Sequence, residues 1–224
     1  MIINVLAISS LTLGLLSFGY TEYFDRLFLI YLISLSAVYI KNINVVSLLA
    51  ILLIERVIEE VVYFSNTLIM AKIGIYILTL LLIKLLWYDK IVKMVVLPII
   101  VLVLLAECYW ALIEYNSPRI HFYIGMIWLN VITRHLIFMR APLIKQYLSA
   151  VVNQTSIDWQ LYSIAKWNVV VIVALICEYL LRHLTPASPM FVYEHYRYAM
   201  QILSVATVYF LTKYILSIKF KIKA

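Results

Sequence analysis

The chain has 224 residues, of which 66% are hydrophobic and only 13% are charged, whereas a soluble domain carries roughly a quarter charged residues. Its formal charge of +7 does not indicate nucleic-acid binding, because the basic residues lie at the ends of apolar segments and form no stripe along a polar face. The composition therefore excludes an ordinary soluble protein and predicts an integral membrane protein whose main contact is with the lipid bilayer.

Eight apolar segments follow one another along the chain, most of them close to the length that a helix needs to cross a bilayer. They predict an all-α, polytopic helical bundle of about eight transmembrane helices, arranged as four hairpins in a single transmembrane domain over residues 1–224. Seven spans are the alternative, if residues 45–64 fail to cross or the first span pairs differently. The predicted spans cover residues 2–19, 27–40, 45–64, 69–87, 91–115, 122–139, 167–184 and 196–216.

The connection between the sixth and seventh predicted spans, Arg140–Lys166, is the longest in the chain. Apolar residues recur in it with helical spacing from Leu143 to Val152, and Pro142 suits the first turn of a helix. This pattern predicts a cytoplasmic helix over about residues 142–154 that lies in the plane of the membrane interface. A docking surface for a cytoplasmic partner is the alternative.

The charged residues divide between the two ends of the predicted spans. One end holds twelve basic residues and two acids, Asp89 and Asp158, and the other end holds nine acids and six basic residues. Because Lys and Arg are retained on the cytoplasmic side, the basic end is expected inside, with both termini cytoplasmic and the protein in the plasma membrane. The sequon Asn153-Gln154-Thr155 then falls inside the cell, where no glycosylation is expected.

A run of charges, Glu55-Arg56-Val57-Ile58-Glu59-Glu60, interrupts the third predicted span and places Glu55 near mid-depth. A charge at the bilayer centre costs about 2.5–3.5 kcal/mol on insertion scales. Arg56 can neutralise one carboxylate, and the others need a partner, a proton or water. The run indicates a cation or proton site or a polar lining between helices. An internal ion-pair network, or a helix that leaves the membrane early, is the alternative.

Three further acids, Glu107, Glu114 and Glu178, lie in the fifth and seventh predicted spans toward the non-cytoplasmic end. If these helices converge with the third, the carboxylates form an outward-facing electronegative vestibule that attracts cations. Separate acids that reach water at the interface are the alternative.

The histidines and cysteines give weaker signals. His183 and His195 flank one turn and are weak candidates for a metal site, but no HExxH motif or His pair at i, i+4 occurs, so no metal and no cofactor are expected. Cys108 and Cys177 are interpreted as small apolar core residues, with a disulfide between them as the alternative.

No motif of a membrane enzyme stands out. The chain has no GxSG stretch, Glu59-Glu60 lacks the arginine of an EExxxR motif, and an FxxxH spacing occurs once, from Phe191 to His195. The chain is therefore predicted to be a non-enzymatic anchor, sensor or subunit of a larger membrane assembly, with a protein partner or as a homo-oligomer. Two alternatives stay open. One is an ion, proton or small-solute conduit, and the other is an enzyme acting on lipid or lipid-linked sugar.

Overall fold

A computed structural model describes residues 20–65, 69–115 and 119–221, together with Gly14. Within these ranges the chain forms seven α-helices and one π-helical turn, Val92–Val96, so the all-α prediction is confirmed. The α-helices are α1 (Thr21–Val38), α2 (Ile43–Ser65), α3 (Ile69–Leu85), α4 (Leu97–Leu112), α5 (Ile120–Leu148), α6 (Ser156–Leu184) and α7 (Phe191–Lys221).

Four helical segments are long and apolar enough to cross a membrane, which agrees with a multi-pass integral membrane protein. They are Val92–Leu112, Ile120–Leu148, Ser156–Leu184 and Phe191–Ile218. The prediction of eight spans is wrong for the described residues. Helix α3 has only 17 residues, three of the first six residues of α1 are charged, and α2 carries the four charges from Glu55 to Glu60. The first predicted span, residues 2–19, lies outside the described residues except for Gly14.

Helix α5 continues through Pro142, so the prediction of a separate interfacial helix over residues 142–154 is wrong. A proline inside a helix has no N–H to donate to the carbonyl four residues earlier. That carbonyl, on Phe138, instead accepts a hydrogen bond of 3.0 Å from Nε2 of Gln154. The helix therefore tolerates Pro142 because a side chain from beyond its end replaces the missing donor.

The long connection predicted over Arg140–Lys166 is short in the structure. Helix α5 ends at Leu148, Ser149 has a left-handed backbone with φ of 51°, and α6 begins at Ser156, well before the predicted residue 167. Asp158, in the first turn of α6, accepts hydrogen bonds from the backbone N–H and the hydroxyl of Thr155 at 2.7 and 3.1 Å. This contact satisfies a backbone donor at the helix start, which explains why α6 begins there.

One compact unit comprises residues 1–56, 132–167 and 197–224. Its apolar core includes Phe28 and Leu32 of α1, Leu49 of α2 and Leu211 of α7, none of them more than 3% exposed. The hydroxyls of Tyr31 and Thr212 lie 2.8 Å apart and connect α1 with α7. The unit therefore holds its helices together by apolar packing with a few polar contacts.

The second compact unit comprises residues 57–131 and 168–196. Here the indole of the buried Trp128 donates to Oγ1 of Thr79 at 2.9 Å, which joins α5 to α3. Nδ2 of Asn168 donates to Oδ1 of Asn130 at 2.8 Å and joins α6 to α5. Gly125 allows close packing, because a Cβ at this position would lie 3.3 Å from Cγ1 of Val62.

Helix α4 starts after the π-helical turn Val92–Val96, and Pro98 stands in its first turn. The sequence places this proline in the middle of a span, where it would interrupt an α-helix. The π-helical turn, which is wider than an α-helical turn, lies just before Pro98, the residue that has no N–H to donate. The chain therefore remains helical through the proline.

Candidate functional site

The charged run on α2 divides between the two units, and Arg56 belongs to the first of them. Nη2 of Arg56 donates to Oγ of Ser204 at 3.0 Å, its guanidinium lies 4.9 Å from the centre of the Phe28 ring, and Nη1 lies 4.0 Å from Oδ1 of Asp25. Arg56 therefore contacts α1 and α7. Glu55 is partly buried in the same unit.

In the second unit, Glu107 contacts two residues of α3. Nζ of Lys72 lies 2.5 Å from its Oε2, and the Tyr76 hydroxyl donates to its Oε1 at 3.2 Å. The Glu107 side chain is only 15% exposed. A basic residue thus pairs with one of the predicted cation-attracting acids, which reduces the negative potential that it can offer.

Glu178 has backbone amides as its partners, in contrast to Glu107, which pairs with a lysine. Its carboxylate is buried, with 6% of the residue exposed, and it accepts hydrogen bonds from the backbone N–H groups of Val192 and Tyr193 at 2.6 and 2.8 Å. These amides belong to the first turn of α7, where N–H groups have no partner within the helix. Glu178 therefore fixes the start of α7 against the last turns of α6.

Three other predicted site acids have more open positions. Glu114 is exposed after the end of α4 and has a left-handed backbone with φ of 53°. Glu60 is exposed and Glu59 is partly buried, both in the second unit. The outward vestibule stays a prediction, while Glu107 and Glu178 have local partners that the sequence did not identify.

The two histidines of the weak metal hypothesis have aromatic and polar neighbours. Nδ1 of His183 lies 3.0 Å from the Tyr115 hydroxyl, and its ring lies 4.4 Å from that of Tyr179. Nδ1 of His195 lies 2.7 Å from the carbonyl oxygen of Phe191, on its own helix. In the described part of the chain, no group of three or more His, Cys, Asp or Glu side chains is placed to hold a metal ion.

Cys108 and Cys177 are unbridged and exposed on the surface of the helices. The interpretation that both are core residues is therefore wrong. Small apolar side chains inside an apolar span give no indication of whether they face protein or lipid, because both surroundings suit them.

A polar cluster surrounds Arg140 in the first unit, and the sequence did not predict it. Arg140 is buried, with only 2% of the residue exposed. Nε and Nη2 donate to Oδ1 and Oδ2 of Asp158 at 3.0 and 2.8 Å, in a bidentate pair. Nη1 donates to the Asn44 carbonyl and to Oγ of Ser47, each at 3.0 Å, and Nη2 also donates to the Asn153 carbonyl at 3.1 Å. A guanidinium has five N–H donors, and each of them is used here.

This Arg140 cluster joins the first turns of α2 and α6 to α5. The backbone N–H of Asn153 also donates to Oδ1 of Asn44 at 3.2 Å, so the sequon asparagine contributes to structure through its backbone. Two sequence signals could have indicated the cluster. Asp158 is an acid on the otherwise basic side, and Thr155-x-x-Asp158 has the spacing of a helix-capping pair.

A cavity of about 520 Å³ in the second unit combines positive charge with aromatic walls. It lies where α2 and α6 end and where α5 and α7 begin, and we call it the arginine–tyrosine pocket. Its lining carries two arginines, one histidine and no acid, and consists of Tyr63, Arg119, Phe122, Tyr123, Tyr179, Arg182, His183, Met190 and Tyr193.

Aromatic contacts hold the walls of the arginine–tyrosine pocket in place. The guanidinium of Arg182 lies over two rings, 5.3 Å from the centre of Tyr179 and 5.1 Å from that of Tyr193. The ring of Tyr123 lies 6.3 Å from that of Tyr179. Such cation–π and ring–ring contacts orient large side chains at a small entropic cost. The sequence did not predict this pocket, because its residues come from four separate helix ends.

Comparisons with protein-family models, with curated proteins and with solved structures find no match for this chain. Its function is therefore inferred from its own residues and their geometry.

Proposed function

We propose that this chain is a non-enzymatic, multi-pass protein of the plasma membrane, with both termini cytoplasmic, that serves as an anchor, sensor or subunit of a larger membrane assembly. The observation that supports the proposal is that several buried polar side chains make contacts within the protein. Arg140 and Asp158 join helices, Glu178 fixes a helix start, and Glu107 pairs with Lys72. Polar groups that are bound to other parts of the protein favour a static helical bundle over an enzyme or a solute conduit.

The surface of α3 supports a role in assembly. Ile73, Ile77, Leu80 and Leu81 are each more than half exposed, and a Cβ added at Gly74 would meet open space. An apolar helix face of this kind needs lipid or another membrane helix as its cover. The proposed partner is a membrane protein or a second copy of this chain.

Purification in a mild detergent, followed by cross-linking and mass measurement, tests the proposal. We expect either a homo-oligomer or a stable complex with a second membrane protein. Replacement of Leu80 on the exposed face by Trp should weaken the association, while the same change at exposed Tyr88, beyond the end of α3, serves as the matched control. A clean monomer in both mild detergent and native membranes would contradict an assembly subunit.

A conduit remains the second candidate because Glu55 and Glu59 of α2 are partly buried. In this case the double substitution Glu55→Gln and Glu59→Gln should abolish cation or proton flux into liposomes while leaving the helical content intact. Absence of flux in the unmodified protein, or equal flux in the variant, would remove this candidate.

An enzyme acting on lipid or lipid-linked sugar is the third candidate, since His183 lines the arginine–tyrosine pocket. It requires activity in the chain purified alone and loss of that activity on replacing His183 with Gln. Activity that survives the substitution would exclude His183 as the acid or base.

A further inference from the structure

We infer that the arginine–tyrosine pocket is a binding site for a phosphate ester group, supplied either by a lipid headgroup or by a soluble phosphorylated compound. The inference does not depend on the proposed assembly role, because it rests on the cavity alone.

The charge of the lining favours an anion. Among the nine lining residues, Arg119 and Arg182 are positive, and none is acidic. Within the described residues no carboxylate pairs with Arg182, whose described contacts are with the faces of Tyr179 and Tyr193. Stacking of this kind leaves the N–H donors at the edge of the guanidinium available. The planar set of donors matches the oxygens of a phosphate, which it can bind in bidentate fashion.

Two acids adjoin lining residues in the sequence, Glu178 before Tyr179 and Glu194 after Tyr193, and neither is itself among the lining residues. Glu194 is exposed, whereas the carboxylate of Glu178 accepts the backbone N–H groups of Val192 and Tyr193. Glu178 therefore holds the pocket wall formed by the first turn of α7. Its negative charge is partly compensated by these donors and by the positive end of that helix.

The pocket is also preorganised, because contacts within the protein hold His183 in place before a ligand binds. His183 is fixed by the Tyr115 hydroxyl and by the ring of Tyr179, and its carbonyl oxygen accepts the indole N–H of Trp110 at 3.4 Å. Side chains held in this way lose little further freedom when a ligand binds, which favours affinity.

The size and position of the cavity define the ligand class further. A volume of about 520 Å³ lies within the usual range of small-molecule sites and accommodates a phosphate with an attached glycerol or sugar. The tyrosine rings offer apolar faces for such a group. The pocket lies at helix ends, and the ends of membrane-spanning helices lie at the level of lipid headgroups.

Binding can be measured on the full chain in mild detergent, with dihexanoyl phosphatidic acid and inorganic phosphate as the two probes. We expect saturable binding, and the melting temperature should rise with ligand concentration because the ligand stabilises the folded state by RT ln(1 + L/Kd), where L is the free ligand concentration. Binding of the lipid alone identifies a headgroup with its acyl glycerol as the source. Comparable binding of inorganic phosphate identifies a soluble compound.

Two variants make the test specific. Arg182→Gln should weaken binding about tenfold, the loss expected for one charged hydrogen-bonding partner. Met190→Trp should also weaken it, because the larger side chain fills the cavity while both arginines remain. Arg197→Gln removes an exposed arginine outside the pocket lining and should bind as the unmodified protein does.

Two results would overturn the inference. One is the absence of saturable binding of either probe to the folded protein. The other is unchanged affinity in Met190→Trp together with unchanged affinity in Arg182→Gln. If Arg182→Gln fails to fold, the affinity of Met190→Trp alone decides the question.

Discussion

Two arginines of this chain show how the same side chain serves opposite purposes. Arg140 is buried, and each of its five donors has a protein acceptor, so it has nothing left to offer a ligand. Arg182 lies over two tyrosine rings at a cavity of about 520 Å³ and has no paired carboxylate in the described part of the chain. The difference indicates that Arg140 contributes stability and that Arg182 contributes binding.

The largest expected effect is on the Arg140 cluster. Replacement of Asp158 with Ala leaves a buried guanidinium without its carboxylate and should lower the free energy of unfolding by about 3–5 kcal/mol. Denaturation with SDS, followed by circular dichroism, measures the change. Arg197→Gln, at an exposed position, should change it by no more than about 0.5 kcal/mol. Equal losses for the two variants would refute the structural role of the cluster.

A smaller loss is expected at the start of α7. Glu178→Ala removes the acceptor for the amides of Val192 and Tyr193 and should cost about 1–3 kcal/mol. Hydrogen exchange at these two amides should become faster, whereas Glu194→Ala, an exposed acid in the same turn, should leave it nearly unchanged. Unaltered exchange in Glu178→Ala would show that the buried carboxylate does not hold the helix start.

The pair of Lys72 and Glu107 is less buried than the pair of Arg140 and Asp158. We therefore expect a smaller interaction free energy between Lys72 and Glu107. Their side chains are 28% and 15% exposed, against 1% and 5% for Arg140 and Asp158. A double-mutant cycle with Lys72→Met and Glu107→Gln should give a coupling free energy of about 1 kcal/mol. A coupling of about 3–5 kcal/mol, as large as the loss expected for Asp158→Ala, would contradict the relation between burial and energy.

The smallest effect on stability is expected for Arg182→Gln, at less than about 1 kcal/mol, because only cation–π contacts near the surface are lost. The SDS denaturation used for Asp158→Ala provides the comparison. A loss of several kcal/mol would place Arg182 with Arg140 as a structural residue.

Local features of the sequence predicted the fold class well. A long apolar run forms a helix in lipid whatever its neighbours are, so the four candidate spans correspond to the fifth to eighth predicted ones. Helix ends were predicted less well. The extent of α5 depends on the Gln154 side chain, which supplies a donor to Phe138 from sixteen residues away, and no local pattern reveals this contact.

The contacts within the candidate sites depend on distant residues. Arg140 finds acceptors on Asn44 and Ser47, more than ninety residues away, and the arginine–tyrosine pocket gathers residues from Tyr63 to Tyr193. The sequence marked Glu107 and Glu178 as unusual because charges in apolar spans are costly. It could not show that Lys72 and the amides of α7 compensate them.

The central claim is that lipid surrounds the exposed apolar surface of these helices, and Cys177 tests it most directly. This thiol is exposed on α6, inside the candidate span Ser156–Leu184. In a Cys108→Ser background, a charged maleimide should fail to label Cys177 in intact membranes and should label it fully in SDS. A chain without Cys108 and Cys177 that carries Ser188→Cys, in the exposed connection before α7, should be labelled under both conditions. Equal labelling of Cys177 in intact membranes and in SDS would contradict the claim.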